Sequence, residues 1–194
     1  MSALTVDHEP HQGWDDLVRI WEDTDAPEGC KVEIIEGIVT VSPTPSWDHN
    51  FTAGRVQRRL YAVLPEEWEI VQTMGAAVPS RKGLYIPDLM VVAENDKPAP
   101  GELFSASQAK LVVEITSRGN ANHDRIAKAH GYAQAGVPLY LLLDPWQSGR
   151  PTATLYGEPE GSTYRVLESV EYGGKLTLPA PFDLVIDTGV FPIS

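Results

Sequence analysis

A single cysteine, Cys30, stands among 194 residues, so neither an intrachain disulfide nor a cysteine-built zinc cage can form. A reducing, cytoplasmic setting is the expectation that follows. No apolar run approaches the roughly 18 residues that a membrane-crossing helix needs, and no membrane partner is expected. The first residues lack the basic start and apolar stretch of a secretory signal. Internal repeats and low-complexity tracts are missing too. Basic side chains are scarce: 15 Lys and Arg face 27 Asp and Glu, a formal net charge of −12. That balance argues against tight, nonspecific affinity for nucleic acid. The deficit is uneven, however. Residues 1–28 hold eight acids and one base, whereas residues 55–130 hold ten bases and nine acids. The acidic start reads as a solubilising arm, and the centre of the chain is not repelled by phosphate.

What is present suits one globular domain. Apolar residues make up 42% and charged residues 22%, and a chain of this length buries a core without staples. Residues 1–12 read as a disordered lead and 13–194 as one domain, with its core over about 47–144. Trp14, Leu17, Val18 and Trp21 have the spacing of a short amphipathic helix. KVEIIEGIVTVSP predicts a hairpin of residues 31–35 and 38–42 around a tight Glu36-Gly37 turn. Ser46 or Asp48 caps a helix over about 47–64, carrying Ala53, Val56, Leu60 and Leu64 and stopped by Pro65. Strands are expected at 68–73, 76–80, about 84–94, 110–117 and 137–145. A helix is expected over 121–135, closed by Gly136. Residues 150–194 read as a β meander. The order predicts an α/β (α+β) fold layered around one mixed sheet.

Two acids stand out. Asp88 follows Pro87 on a strand, and Glu114 follows Leu111-Val112-Val113 on another. An acid among apolar strand residues costs free energy to desolvate unless it is paired or bound to metal. Two of them on neighbouring strands make an oxygen site for a hard cation such as Mg²⁺ or Mn²⁺. Each alone is equally an exposed strand-end acid or half of a salt bridge. Asp124, Lys128 and Tyr132 are spaced i, i+4, i+8 and share a helix face. Lys128 either assists at a metal site or forms a surface pair with Asp124. Ser117 either caps the entry to that helix or holds Glu114 by a hydrogen bond. Glu33 alternates with Val32 and Ile34, which reads most simply as a solvent face. His49 is an ordinary histidine near a helix start or a neighbour of the metal. Arg55, Arg58 and Arg59 share one helix face, either solvated or meeting phosphates. His8, His11, His123 and His130 have no zinc-site spacing.

In order, EIIEGIVTVSP, His49, YIPDLMVV, LVVEITS, Asp124, Lys128, Tyr132-Ala133 and GVPLYLLLDP resemble the Uma-two family of bacterial restriction-endonuclease-like proteins. That family is assigned to the PD-(D/E)XK nuclease superfamily, and the resemblance spans about residues 14–187. It implies a restriction-endonuclease-like core, flanked by the N-terminal helix and hairpin and by the C-terminal meander. It implies a Mg²⁺- or Mn²⁺-dependent endonuclease acting on DNA, with Asp88 and Glu114 as metal ligands. Glu33 and Lys128 are then catalytic, and His49, Asp124, Ser117 and Tyr132 auxiliary. The superfamily's plain motif places lysine two residues after the second acid, where this chain has Thr116. Lys128 is the candidate that reaches back from the adjacent helix. A homodimer is expected, because duplex cleavage needs two cuts. Two other readings stand beside this one: a nuclease fold kept for binding or assembly without the reaction, and a hydrolase of another phosphate ester.

Overall fold

A computed structural model describes residues 4–6, 13–119 and 121–193 of the chain. Instead of one sheet, the described residues build two six-stranded sheets and a small two-stranded ribbon. The first sheet gathers β1 (Leu4–Val6), β2 (Lys31–Ile35), β3 (Ile38–Ser42), β5 (Ala76–Val78), β6 (Gly83–Tyr85) and β8 (Phe104–Ser105), in the order β1-β3-β2-β6-β5-β8. The second gathers β4 (Trp68–Val71), β7 (Leu89–Ala93), β9 (Leu111–Ile115), β10 (Leu139–Asp144), β11 (Thr152–Glu160) and β12 (Thr163–Glu171), in the order β12-β11-β10-β9-β7-β4. The ribbon is β13 (Lys175–Leu178) and β14 (Leu184–Asp187).

The stretch expected as one strand over 84–94 is the junction of the two sheets. β6 ends at Tyr85, β7 begins at Leu89, and Ile86-Pro87-Asp88 carries the chain across. Pro87 has no N–H to give a ladder, so a continuous strand breaks there. Within the stretch read as a lead, Leu4–Val6 run antiparallel to β3. Residues 1–3 and 7–12 lie outside the described residues.

The hairpin forms as its sequence demands. Glu36 and Gly37 both have positive φ, +50° and +83°, which the right-handed twist of a two-residue hairpin loop requires. α1 (Trp14–Asp23) occupies its expected segment, α2 (Trp47–Tyr61) ends three residues short of the expected 64 and leaves Leu64 outside it, and the Ser46 hydroxyl accepts from the His49 amide at the start of α2. The third helix is not uniform. Residues His123–Lys128 are π-helical, and α3 (Ala129–Gln134) continues them. Gly131 is required in α3, because a Cβ there would run into the Tyr85 ring.

β9 and β10 are parallel and lie at the centre of the second sheet. Both are buried on both faces, as their unbroken apolar runs imply. Leu111, Val113 and Ile115 pack with Val56 and Leu60 of α2. Val112, Tyr140 and Leu142 pack on the other side with Tyr132, Tyr85, Met90 and Ile35. A third cluster joins Leu17 of α1 to Ile34, Val39 and Leu84 of the first sheet.

Candidate active site

Strand alternation decides where the acids point. Glu114 lies two residues from Val112, and Asp88 two residues from Met90, so both side chains belong to the sheet face turned toward α3 and the first sheet. Leu89 pairs with Val113. One step earlier, Asp88 Oδ2 accepts the Ile115 amide at 2.8 Å. Asp88 and Glu114 both line a cavity of about 260 Å³, together with Lys31, Glu33, His49, Asp124 and Lys128.

Glu33 also follows its alternation, but the face opposite Val32 and Ile34 is not solvent. It is covered by the crossover at Ile86 and by the helix that carries Lys128, and Glu33 is 2% exposed. Its Oε1 accepts the Ile86 amide at 2.7 Å and lies 2.8 Å from Lys128 Nζ. Lys128, too, forms no surface pair. Its ammonium is buried among Glu33, Glu114 at 3.1 Å and Asp124 at 3.1 Å. Three donors meet three carboxylates. Tyr132 completes the group by donating its hydroxyl to Glu114 Oε1 at 2.8 Å.

His49 is not an ordinary helix-start histidine. Its Nε2 stands 3.0 Å from Asp88 Oδ2. Asp88 Oδ1 takes a short hydrogen bond from Lys31, whose ammonium also donates to the Ile86 carbonyl at 3.2 Å. Lys31 escaped the sequence reading. The usable signal was its place two residues before Glu33 on one strand, which puts both on the same face. Lys31 and Glu33 thus hold the two backbone polar groups of Ile86, fixing the crossover that carries Asp88.

The electrostatics follow from this crowding. Burial raises Glu114 to about 8, and the Asp124 and Asp88 charges add to that rise against Lys128. Burial likewise raises Asp124. Burial would raise Asp88 as well, but the Lys31 charge and the His49 hydrogen bond outweigh it and hold Asp88 well below the usual carboxylate range. Lys128 sits well above the ordinary lysine value: burial opposes its charge, and Asp124, Glu114 and Glu33 overcome that.

Whether these residues suit a metal can be judged from their charges. With all four ionised, Asp88, Glu114, Glu33 and Asp124 bring four carboxylates to two ammoniums, Lys31 and Lys128, a formal −2 that a divalent cation would balance while drawing the proton off Glu114. Among the described residues no three His, Cys, Asp or Glu side chains form a ready cage. Mg²⁺ does not require one, since it is commonly held by one or two carboxylates and keeps several waters. The donor set therefore fits a hard divalent cation.

Thr116, where the resemblance would place a lysine, serves a second polar group. Its hydroxyl donates to Asp144 Oδ1 at 2.7 Å. Arg125 grips the same carboxylate through Nε at 2.7 Å and Nη2 at 2.9 Å, and the Trp146 amide adds a bond at 3.2 Å. Neither Asp144 nor Arg125 was picked out from sequence. Ser117 is exposed on the cavity wall, and the partners of Glu114 are Lys128 and Tyr132 instead. Arg55, Arg58 and Arg59 do not line the cavity. Arg55 stacks over Phe51 at 4.7 Å, and Arg59 donates to the Val185 carbonyl at 3.3 Å.

Set beside known proteins, residues 14–189 match the model of a family, Uma2, described as "Putative restriction endonuclease". A solved crystal structure, "a putative nuclease belonging to DUF820 from Anabaena variabilis ATCC 29413", shares the fold with a TM-score of 0.67 and 17% identity. The alignment covers 92% of this chain and 96% of that one. At that identity the likeness speaks to fold alone. No curated protein matches the chain.

Proposed function

This chain belongs to the Uma2 family, described as "Putative restriction endonuclease", and from that premise we propose that it is a metal-dependent endonuclease hydrolysing phosphodiester bonds in DNA. The observation that carries the reading is that Asp88, at the end of the crossover just before β7, and Glu114, on the adjacent β9, line one cavity. Asp88 and Glu114 would hold Mg²⁺ or Mn²⁺. Such a cation, when bound, makes a coordinated water more acidic and offsets negative charge on the phosphate. The protein's own groups prepare the site. Lys31, His49 and the Ile115 amide orient Asp88, while Lys128 and Tyr132 orient Glu114. Glu33 anchors both Lys128 and the Ile86 amide, and Asp124 shares Lys128. Ser117 borders the entrance. Arg55 and Arg58, exposed on α2, would meet phosphates away from the cut.

Incubating the full chain with plasmid and Mg²⁺ or Mn²⁺ tests this reading. Nicking by the wild type that is lost in Asp88→Ala is the expected result. Equal nicking by both would assign the activity to a contaminant.

One observation favours a second reading, in which the nuclease fold serves binding or assembly without the reaction. Each of the two acids already has an ammonium partner, Lys31 for Asp88 and Lys128 for Glu114. Absence of Glu114-dependent Mn²⁺ binding in calorimetry would select it. A homodimer belongs to the endonuclease reading, with β12, an edge strand exposing Val166 and Leu167, as the contact. A monomeric mass by light scattering would remove the dimer.

A further inference from the structure

Two lysines line the cavity, and their surroundings differ. Lys128 keeps 4% of its side chain exposed, and its three N–H groups face three carboxylates on Glu33, Glu114 and Asp124. An ammonium has three donors and no more. Lys128 therefore has no hydrogen bond left to offer a substrate. Lys31 keeps 19% of its side chain exposed, on the cavity wall. Its hydrogen bonds go to two protein acceptors, Asp88 Oδ1 and the Ile86 carbonyl. One donor remains, on a group held beside the acid that lines the cavity floor.

We propose that Lys31 is the catalytic lysine, donating to a non-bridging oxygen of the scissile phosphate, and that Lys128 is a positioning residue that holds Glu114. The assignment rests on the endonuclease reading above. Its chemistry is electrostatic: Lys31 stays an ammonium, passes no proton and forms no covalent bond. A fixed cation beside the phosphate offsets the charge that grows on its oxygens as the attacking oxygen arrives and the leaving oxygen departs. The hairpin sets the geometry. Lys31 and Glu33 lie on one face of β2, and together they clamp Ile86, so the lysine and Asp88 are tied to the same short crossover. The lysine that the superfamily places after the second acid is thus supplied here from a different strand of a different sheet. Thr116 is freed to bond Asp144.

The test compares the full-length wild type, Lys31→Gln, Lys31→Arg and Asp88→Asn on a short DNA duplex. Cleavage is followed with Mg²⁺, and binding with Ca²⁺ in its place. Lys31→Gln is expected to lower kcat about a hundredfold, as loss of one donor to a developing oxyanion does. KM should move little, and Lys31→Arg should restore most of the rate. A merely structural role would lower thermal stability without that kcat-specific loss and without rescue by arginine. A second measurement reads binding. With Ca²⁺ present, Lys31→Gln should hold the duplex nearly as the wild type does, because the contact strengthens only as charge grows on the phosphate. If the wild type cuts, Asp88→Asn does not, and Lys31→Gln cuts at the wild-type rate, this assignment falls while the endonuclease reading stands. A Lys31→Arg rate no higher than that of Lys31→Gln overturns it as well. If the wild type neither binds nor cuts the duplex, both fall together.

Discussion

Lys128 Nζ lies 2.8 Å from Glu33 Oε1, with both side chains almost wholly out of water. Glu33 is on the hairpin of the first sheet, and Lys128 is on the helix that covers the second. The pair therefore joins the two layers by charge at the point where the cavity forms.

Removing the ammonium would leave Glu33, Glu114 and Asp124 buried around no cation. Breaking a buried pair by deleting one partner costs about 3–5 kcal/mol. Lys128→Met is therefore expected to lose about that much in urea unfolding, or not to fold. A loss below about 1 kcal/mol, the range of a surface pair, would show that the cluster is solvated.

The hydroxyl of Tyr132 has a narrower task. Tyr132→Phe keeps the ring packed against Tyr85 and Tyr140 and removes only the bond to Glu114. A hydrogen bond to a charged group contributes about 1.5–3 kcal/mol, less here to the extent that Glu114 holds a proton. A double-mutant cycle with Glu114→Gln is expected to show coupling. Strict additivity would mean that the two groups act separately.

Asp144 is expected to matter for stability. Its carboxylate is gripped by Arg125 and Thr116 across the exit of β10. Asp144→Asn should cost about 2 kcal/mol in urea unfolding, since hydrogen bonds to a charged partner weaken together. An unchanged midpoint would show that Arg125, itself partly exposed, finds water as good a partner.

Alkaline pH offers a further check. Burial raises the phenols of Tyr85, Tyr132, Tyr140, Tyr156, Tyr164 and Tyr172, with Tyr85 at about 12. A phenol in the unfolded chain ionises near 10. The folded state binds these protons more tightly, so the stability they lend is full below about pH 10 and lost as pH rises toward the folded values. Phenolate absorbance should lag through about pH 10 and then climb together with loss of the circular dichroism signal. A smooth titration near pH 10 with the fold intact would contradict the burial of these rings.

The elements were legible in sequence where periodicity and punctuation agreed. Gly37 marked the hairpin turn and Val112 and Leu141 announced buried strands, whereas α2 stops at Tyr61, four residues before Pro65. The second sheet was not legible, because a run such as Leu84–Glu94 carries the same apolar pattern whether its halves pair with one sheet or two. Only Pro87 hinted at the break. In the site, the acids Asp88 and Glu114 and the face shared by Asp124, Lys128 and Tyr132 could be read from spacing. The roles of Lys31 and His49 could not, because each depends on a contact with Asp88 across 57 and 39 positions of chain, which no local pattern encodes. Glu33 misled for a related reason: alternation fixes which way a side chain points, not what covers that face.

Mn²⁺ titration of the wild type, Asp88→Asn and Glu114→Gln, followed by the loss of free-ion paramagnetic resonance signal, is the sharpest check on the proposed metal site. One bound ion per wild-type chain and strongly weakened binding in each variant is the expected result. Mn²⁺ bound equally by all three, or by none, would contradict it.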